Sequence, residues 1–280
     1  MMRQASGTGG PLKVLAGQID IPQTRSVGER DAHVARLCER VESELARRNA
    51  DLVVLPELST IDYSRDAFCR LDELAEDADG PSAQAFARLA ERTGVAVLYG
   101  FARRAGDGYR ISQQLVRPDG TPAGYFDKIH MAQFGASMEK EFFERGDRLC
   151  VFELKGYRIA PMICYDIRVP EMARALALEH GVDAIFHCGA YFRDESFASW
   201  HAFVTTRAME NQVYLLSLNR AGADYGASVF CPPWVDEASP MTAMPEHAEA
   251  FMVFEICAET IDKVRTNYSF LTDRLADYAV

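Results

Sequence analysis

A chain of 280 residues with 48% hydrophobic and 25% charged side chains is ordinary globular material, long enough for one large α/β domain. Its 41 acidic residues outnumber 30 basic ones, and the net charge of −11 argues against nucleic acid or an anionic membrane surface as a partner. Seven dispersed cysteines without a Cys-x-x-Cys pair suggest neither a disulfide framework nor a zinc site. Residues 1–10 lack an apolar leader core, and no apolar run nears the roughly 20 residues of a membrane span. The expectation is a cytoplasmic protein with a flexible N-terminus.

In chain order, Leu12 to Asp20 reads as a strand. Thr24 or Ser26 is placed to cap a helix over 28–48, in which Val34, Leu37, Cys38, Val41 and Leu45 recur at helical spacing. The apolar run 51–55 reads as a buried strand that ends at Pro56-Glu57, and a carboxylate there is costly unless paired. Residues 59–80 are acidic and irregular. A helix from Pro81 to about Arg92, stopped by Gly94, precedes a strand over 95–101 and a hairpin of 112–117 with 124–128. The hairpin delivers Asp127-Lys128-Ile129-His130, and residues 138–147 read as a charged loop with two aromatic anchors.

Arg158 to Ile163 is a further buried strand, and it ends on Cys164. Pro170 then stands at the first position of a helix, with Glu171 suiting its first turn. A thiol at a strand end facing a helix start is placed for exposure and a lowered pKa, although a free cysteine is more often a small core hydrophobe. Beyond it come a strand over 182–188, a helix from Phe197 to about Met209, strands over 213–218, 227–230 and 251–256, and a polar tail from Lys263 with aromatic anchors.

These motifs, in this order, resemble the nitrilase superfamily of carbon–nitrogen hydrolases over nearly the whole chain. Leu55-Pro56-Glu57 resembles the segment of the family's general base, and Asp127-Lys128-Ile129-His130 that of its lysine. Ile163 through Glu171 resembles its nucleophile segment, and Trp200 through Asn211 the helix that follows. A second family glutamate is placed on Glu139, with Glu141 as runner-up. The resemblance implies a four-layer α-β-β-α sandwich, a single domain over 11–280 with a C-terminal tail, and a homodimer or higher homo-oligomer.

The implied chemistry is hydrolysis of a small-molecule amide by a Glu57-Lys128-Cys164 triad. Cys164 forms a thioester, Glu57 acts as general base, and Lys128 with the Tyr165 N–H stabilises the oxyanion. Glu139 orients the amide or shares protons with Glu57. No cofactor or metal is required.

Tyr165-Asp166 after the nucleophile, where nitrile-cleaving relatives have Trp-Glu, is similar to the amidase and carbamoyl-amidase branches. An N-carbamoyl amidohydrolase and a non-catalytic binding relative are the alternatives. Three segments depart from the family pattern: Asp62-Tyr63, the strand end His187 to Tyr191 that includes Ala190, and Pro232-Pro233-Trp234. Tyr63, Phe134, Tyr191, Phe192 and Trp200 are candidates for a pocket wall. Asp194 or Glu195 is a candidate partner for a substrate amine. A Cys–His enzyme would instead need His130, His187 or His201 beside Cys164, whereas Asp166, Arg168, Arg207 and Glu210 read as structural supports.

Overall fold

The computed structural model describes residues 10–275, so the flexible start expected for 1–10 lies outside them apart from Gly10, as does the end of the tail. The first half runs β1 (Leu12–Gln18), α1 (Val27–Leu45), β2 (Leu52–Val54), two single-turn helices α2 (Arg65–Phe68) and α3 (Leu71–Leu74), α4 (Pro81–Thr93), and strands β3 (Ala96–Ala105), β4 (Gly108–Val116) and β5 (Pro122–Asp127). The second half runs β6 (Phe152–Leu154), β7 (Tyr157–Ile163), α5 (Pro170–Leu178), β8 (Ala184–Cys188), α6 (Phe197–Asn211), β9 (Tyr214–Leu218), β10 (Val229–Cys231), β11 (Thr242–Ala243), β12 (Ala250–Ile256), α7 (Ala258–Asn267) and α8 (Phe270–Asp273).

Two six-stranded sheets result, ordered β12-β1-β2-β3-β4-β5 and β11-β10-β9-β8-β7-β6. Strands β1, β2 and β3 are parallel, as are β7, β8 and β9, and the flanking pairs are antiparallel. Alternation along each strand divides the core into three apolar layers. Val14, Leu52, Leu98, Ile159, Phe186 and Leu216 meet between the sheets. Leu15, Val53 and Val97 instead face Val34, Leu37 and Val41 of α1 and Phe86 and Leu89 of α4. Met162, Ile185 and Leu215 face Met172 and Leu176 of α5 and Trp200, Val204 and Ala208 of α6. This is the α-β-β-α sandwich the sequence implied. Among the described residues no helix is long and apolar enough to cross a membrane.

Local signals explain most element ends. The Ser26 side chain accepts from Glu29 N and caps α1, Pro81 opens α4 at a position where no amide donor is needed, and Gly94 closes it at φ 68°. The acidic stretch 59–80 is less irregular than expected, because Phe68, Leu71 and Leu74 bury themselves and draw α2 and α3 onto the core. The tail also differs: α7 carries through Asn267 on buried Ile261 and Val264, which hold an apolar stripe within a polar composition.

Candidate active site

The site lies where the carboxyl ends of strands from both sheets converge, the usual place for chemistry in α/β folds. Glu57 follows β2, Lys128 follows β5, Cys164 follows β7, and Ala190 follows β8. Glu57, Lys128 and Glu139 are fully buried, and Cys164 is 7% exposed. Lys128 Nζ donates to Glu57 Oε1 at 2.8 Å and to Glu139 Oε1 at 2.6 Å. The second Glu57 oxygen accepts from Ala190 N at 2.8 Å. Glu139 also accepts from the Tyr63 hydroxyl and from Ala132 N, each at 2.8 Å. Donor atoms of Glu57, Glu139 and Cys164 lie within 4.8 Å of one another. The cation that fills this acidic group is the Lys128 ammonium, so a metal ion there would face a positive charge.

The loops that deliver these groups are tied to neighbouring strands. Ser59 Oγ donates to Pro56 O at 2.6 Å and accepts from Gly100 N at 3.2 Å. A Cβ at Gly100 would meet Pro56 O and Leu58 N at 2.5 and 2.6 Å, so the Glu57 loop can approach β3 only over a glycine. Asp166 joins the other two segments, accepting from Ile163 N at 3.0 Å and from the backbone N and Nδ1 of His130 at 2.9 and 2.8 Å. The segments carrying Glu57, Lys128 and Cys164 are therefore tied to neighbouring backbone, and Glu57 and Lys128 also to each other.

Electrostatics follow from one ammonium serving two carboxylates in a buried site. Burial pushes the Glu57 carboxyl up, Lys128 opposes and Glu139 reinforces, leaving it at about 7. Burial alone would pull Lys128 down, but Cys164, Glu139 and Glu57 reverse the sign and hold the ammonium well above its ordinary value. The Cys164 thiol is pushed well above its usual range, by burial first and then by Glu57. This corrects the expectation of an exposed thiol activated by a helix start. A 3-10 turn over Cys164–Arg168 separates it from α5, and the positive charge near it is Lys128.

Cys164 itself adopts φ 46°, in the left-handed region that costs a non-glycine residue about 1–3 kcal/mol. Its carbonyl accepts from His187 Nε2 at 2.8 Å and from the Tyr191 hydroxyl at 2.9 Å. A carbonyl can only accept, so His187 Nε2 carries the proton. Burial lowers the His187 pKa to about 4, so the ring is neutral and Nδ1 is an acceptor. Ser217 Oγ, 2.7 Å away, donates to Nδ1 and in turn accepts from Trp200 Nε1 at 2.9 Å.

A cavity of about 300 Å³ opens on Cys164. Tyr63, Phe134, Tyr165, Tyr191, Phe192 and Tyr225 give it aromatic walls, with Ala190 beside the thiol and Arg168 and Asp194 among the polar lining groups.

A family model described as carbon-nitrogen hydrolase matches residues 16–265. The chain belongs to the carbon-nitrogen hydrolase family. It is 36% identical over 176 residues to a Pseudomonas protegens protein named "Hydrolase in pqqF 5'region", a match covering 62% of this chain and 60% of that one. A Pyrococcus abyssi nitrilase is 34% identical, with 67% of this chain and 69% of that one covered. A Bacillus subtilis 2-oxoglutaramate amidase is 31% identical, with 68% and 73% covered. The structure of Saccharomyces cerevisiae Nit3, a nitrilase-superfamily member, superposes with a TM-score of 0.82 at 22% identity over 96% of this chain and 97% of that chain, a likeness of fold.

In this carbon-nitrogen hydrolase the four candidate catalytic residues, Glu57, Lys128, Glu139 and Cys164, meet in one cluster. Glu141, the alternative to Glu139, points outward and pairs with Arg65 at 2.8 Å. Tyr63, Phe134, Tyr165, Ala190 and Tyr191 all line the cavity. Trp200 is fully buried and stacks behind Tyr191 at 4.6 Å. Asp194 faces the cavity with its oxygens accepting from Ala136 N and Ser196 N, while Glu195 is exposed. The three candidate histidines are committed elsewhere: His130 to Asp166, His187 to the Cys164 carbonyl and His201 to Ala227 O. Arg168, read as structural, both donates to Ser196 O and lines the cavity. Tyr225 and the supporting role of Ser217 carried no signal in the sequence, since each acts through contacts distant along the chain.

Proposed function

We propose that the protein is a thiol amidohydrolase that cleaves a small linear amide through a Cys164 thioester, releasing ammonia and a carboxylic acid. The observation that carries this reading is the Lys128 ammonium held between two buried carboxylates beside Cys164, which opens on the 300 Å³ cavity. An amide carbon is a weak electrophile, so a sulfur nucleophile with a matched base divides one hard step into two.

Glu57, with its pKa near 7, takes the Cys164 proton as the thiol approaches the amide carbon. Lys128 holds the thiolate, then meets the oxyanion together with the Tyr165 N–H. Glu57 returns the proton to the departing nitrogen, and ammonia leaves with the C–N bond. Glu57 next takes a proton from water, whose oxygen attacks the thioester and frees the acid and the thiol. Glu139, with Lys128, Tyr63 and Ala132 N on its oxygens, keeps the ammonium aimed and is a positioning group.

The cavity walls favour a short acyl group flanked by aromatic rings; the relatives include both a nitrilase and an amidase, and Tyr165-Asp166 after the nucleophile supports an amide over a nitrile. Ammonia release from a panel of aliphatic and aromatic amides, ω-amidic acids, N-carbamoyl compounds and nitriles tests the reading. Turnover of an amide class supports it; turnover confined to carbamoyl compounds or nitriles overturns it.

A further inference from the structure

The Cys164 carbonyl and the Tyr165 N–H are the two ends of one planar trans peptide, so they point in opposite directions. Fixing one end therefore fixes the other. The carbonyl end is held by two donors on fully or nearly buried side chains, His187 Nε2 at 2.8 Å and the Tyr191 hydroxyl at 2.9 Å. The carbonyl admits only the His187 tautomer with its proton on Nε2, and Ser217, which accepts from Trp200, donates to the Nδ1 left unprotonated. The restraint falls where the backbone is least settled by its own preferences, since Cys164 stands at φ 46° and a flip of its peptide would turn the Tyr165 N–H away.

We propose that His187 and Tyr191 are positioning residues that aim the oxyanion-binding N–H of Tyr165 by pinning the carbonyl of the nucleophile's own peptide. Hydrogen bonds to the carbonyl also polarise the amide and strengthen its N–H as a donor. His187 thus serves the reaction without touching the thiol, which explains an imidazole so near Cys164 that is not its base. The proposal rests on the amidohydrolase reading for the role of the Tyr165 N–H.

The test separates aiming of the N–H from placement of the sulfur. A small aldehyde adds its carbonyl carbon to Cys164 Sγ while the thiol proton passes to the aldehyde oxygen, which then occupies the oxyanion position. Methyl methanethiolsulfonate forms a disulfide at Cys164 with loss of methanesulfinate and has no such oxygen to bind. Propionaldehyde affinity is read as protection of Cys164 from this label, followed by peptide mass spectrometry, alongside kcat and KM on an amide.

In His187→Leu, kcat falls about ten- to a hundredfold and propionaldehyde protection weakens by a similar factor, up to the range of a lost oxyanion donor. KM and the labelling rate without aldehyde stay within about threefold. His187→Gln, which keeps an N–H donor at similar reach, restores most of the loss. Tyr191→Phe gives a smaller loss of the same pattern and carries the test if His187→Leu does not fold. Labelling that slows in step with kcat, or unchanged kcat and protection, overturns the proposal. Absence of amide turnover in the parent counts against the amidohydrolase reading instead, and aldehyde protection still decides whether His187 aims the peptide.

Discussion

Lys128 Nζ donates to Glu57 Oε1 at 2.8 Å while the same ammonium serves Glu139 at 2.6 Å. With both carboxylates ionised the buried group carries a net negative charge, and one proton neutralises it. Burial and Glu139 together outweigh the attraction of Lys128 and push the Glu57 carboxyl up to about 7.

The pH profile follows from this competition. Glu57 must be unprotonated to accept the Cys164 proton, and its pKa is near 7. The rate constant kcat/KM should fall on the acid side with a midpoint near pH 7 and a slope of one proton. Ammonia release between pH 5 and 9 measures it, and a flat profile from pH 5 to 8 would remove Glu57 from the role of base.

Stability should show the opposite face of the same shift. Folding raises the Glu57 pKa above its ordinary 4.5 to about 7. Its contribution is therefore fully present below about 4.5 and is lost as pH rises through about 7. Glu57→Gln removes the buried charge and keeps an acceptor for Lys128. Gln turns an NH2 group toward one of the two donors, a cost that does not vary with pH, so the variant's melting temperature relative to the parent's should be higher at pH 8 than at pH 5. A gap of the same size at both pH values would contradict the shift.

Removing the ammonium tests the oxyanion role. Lys128→Met should lower kcat by about 10²–10³, the cost of one lost oxyanion donor at about 3 kcal/mol, and should also lower the melting temperature, because two buried carboxylates lose their cation. A loss confined to KM would mean that Lys128 binds substrate and does not stabilise the charge that develops.

The two glutamates of the 139–141 turn should behave differently. Glu139 is buried and accepts from Lys128, Tyr63 and Ala132 N, so Glu139→Gln should depress kcat strongly. Glu141 is exposed and paired with Arg65, so Glu141→Gln should stay within about twofold of the parent, as surface changes commonly do. Equal losses would undo the assignment.

Much of this site was legible in the sequence because its groups end buried strands. The apolar runs before Glu57 and Cys164 mark strand ends, where a polar residue must be paired, and the motif order joins them to Lys128. Contacts between distant segments were not legible. His187 read as the end of a strand, although its ring fixes the Cys164 carbonyl through Ser217 and Trp200 from two other elements. The thiol's environment is hidden for a related reason. A strand-to-helix junction suggests exposure, whereas Cys164 is buried in one apolar cluster with Tyr191, far along the chain. In α2, α3 and α7 a narrow apolar stripe was hidden by charged neighbours.

The most direct test of the thioester mechanism is intact-protein and peptide mass spectrometry of the enzyme mixed with a slowly turned-over small amide and quenched in acid. The expected result is an acyl adduct on Cys164 that forms and decays with ammonia release, and that is absent, together with all turnover, in a folded Cys164→Ala variant. Turnover that persists in Cys164→Ala, or an adduct on another residue that forms at the rate of turnover, would contradict it.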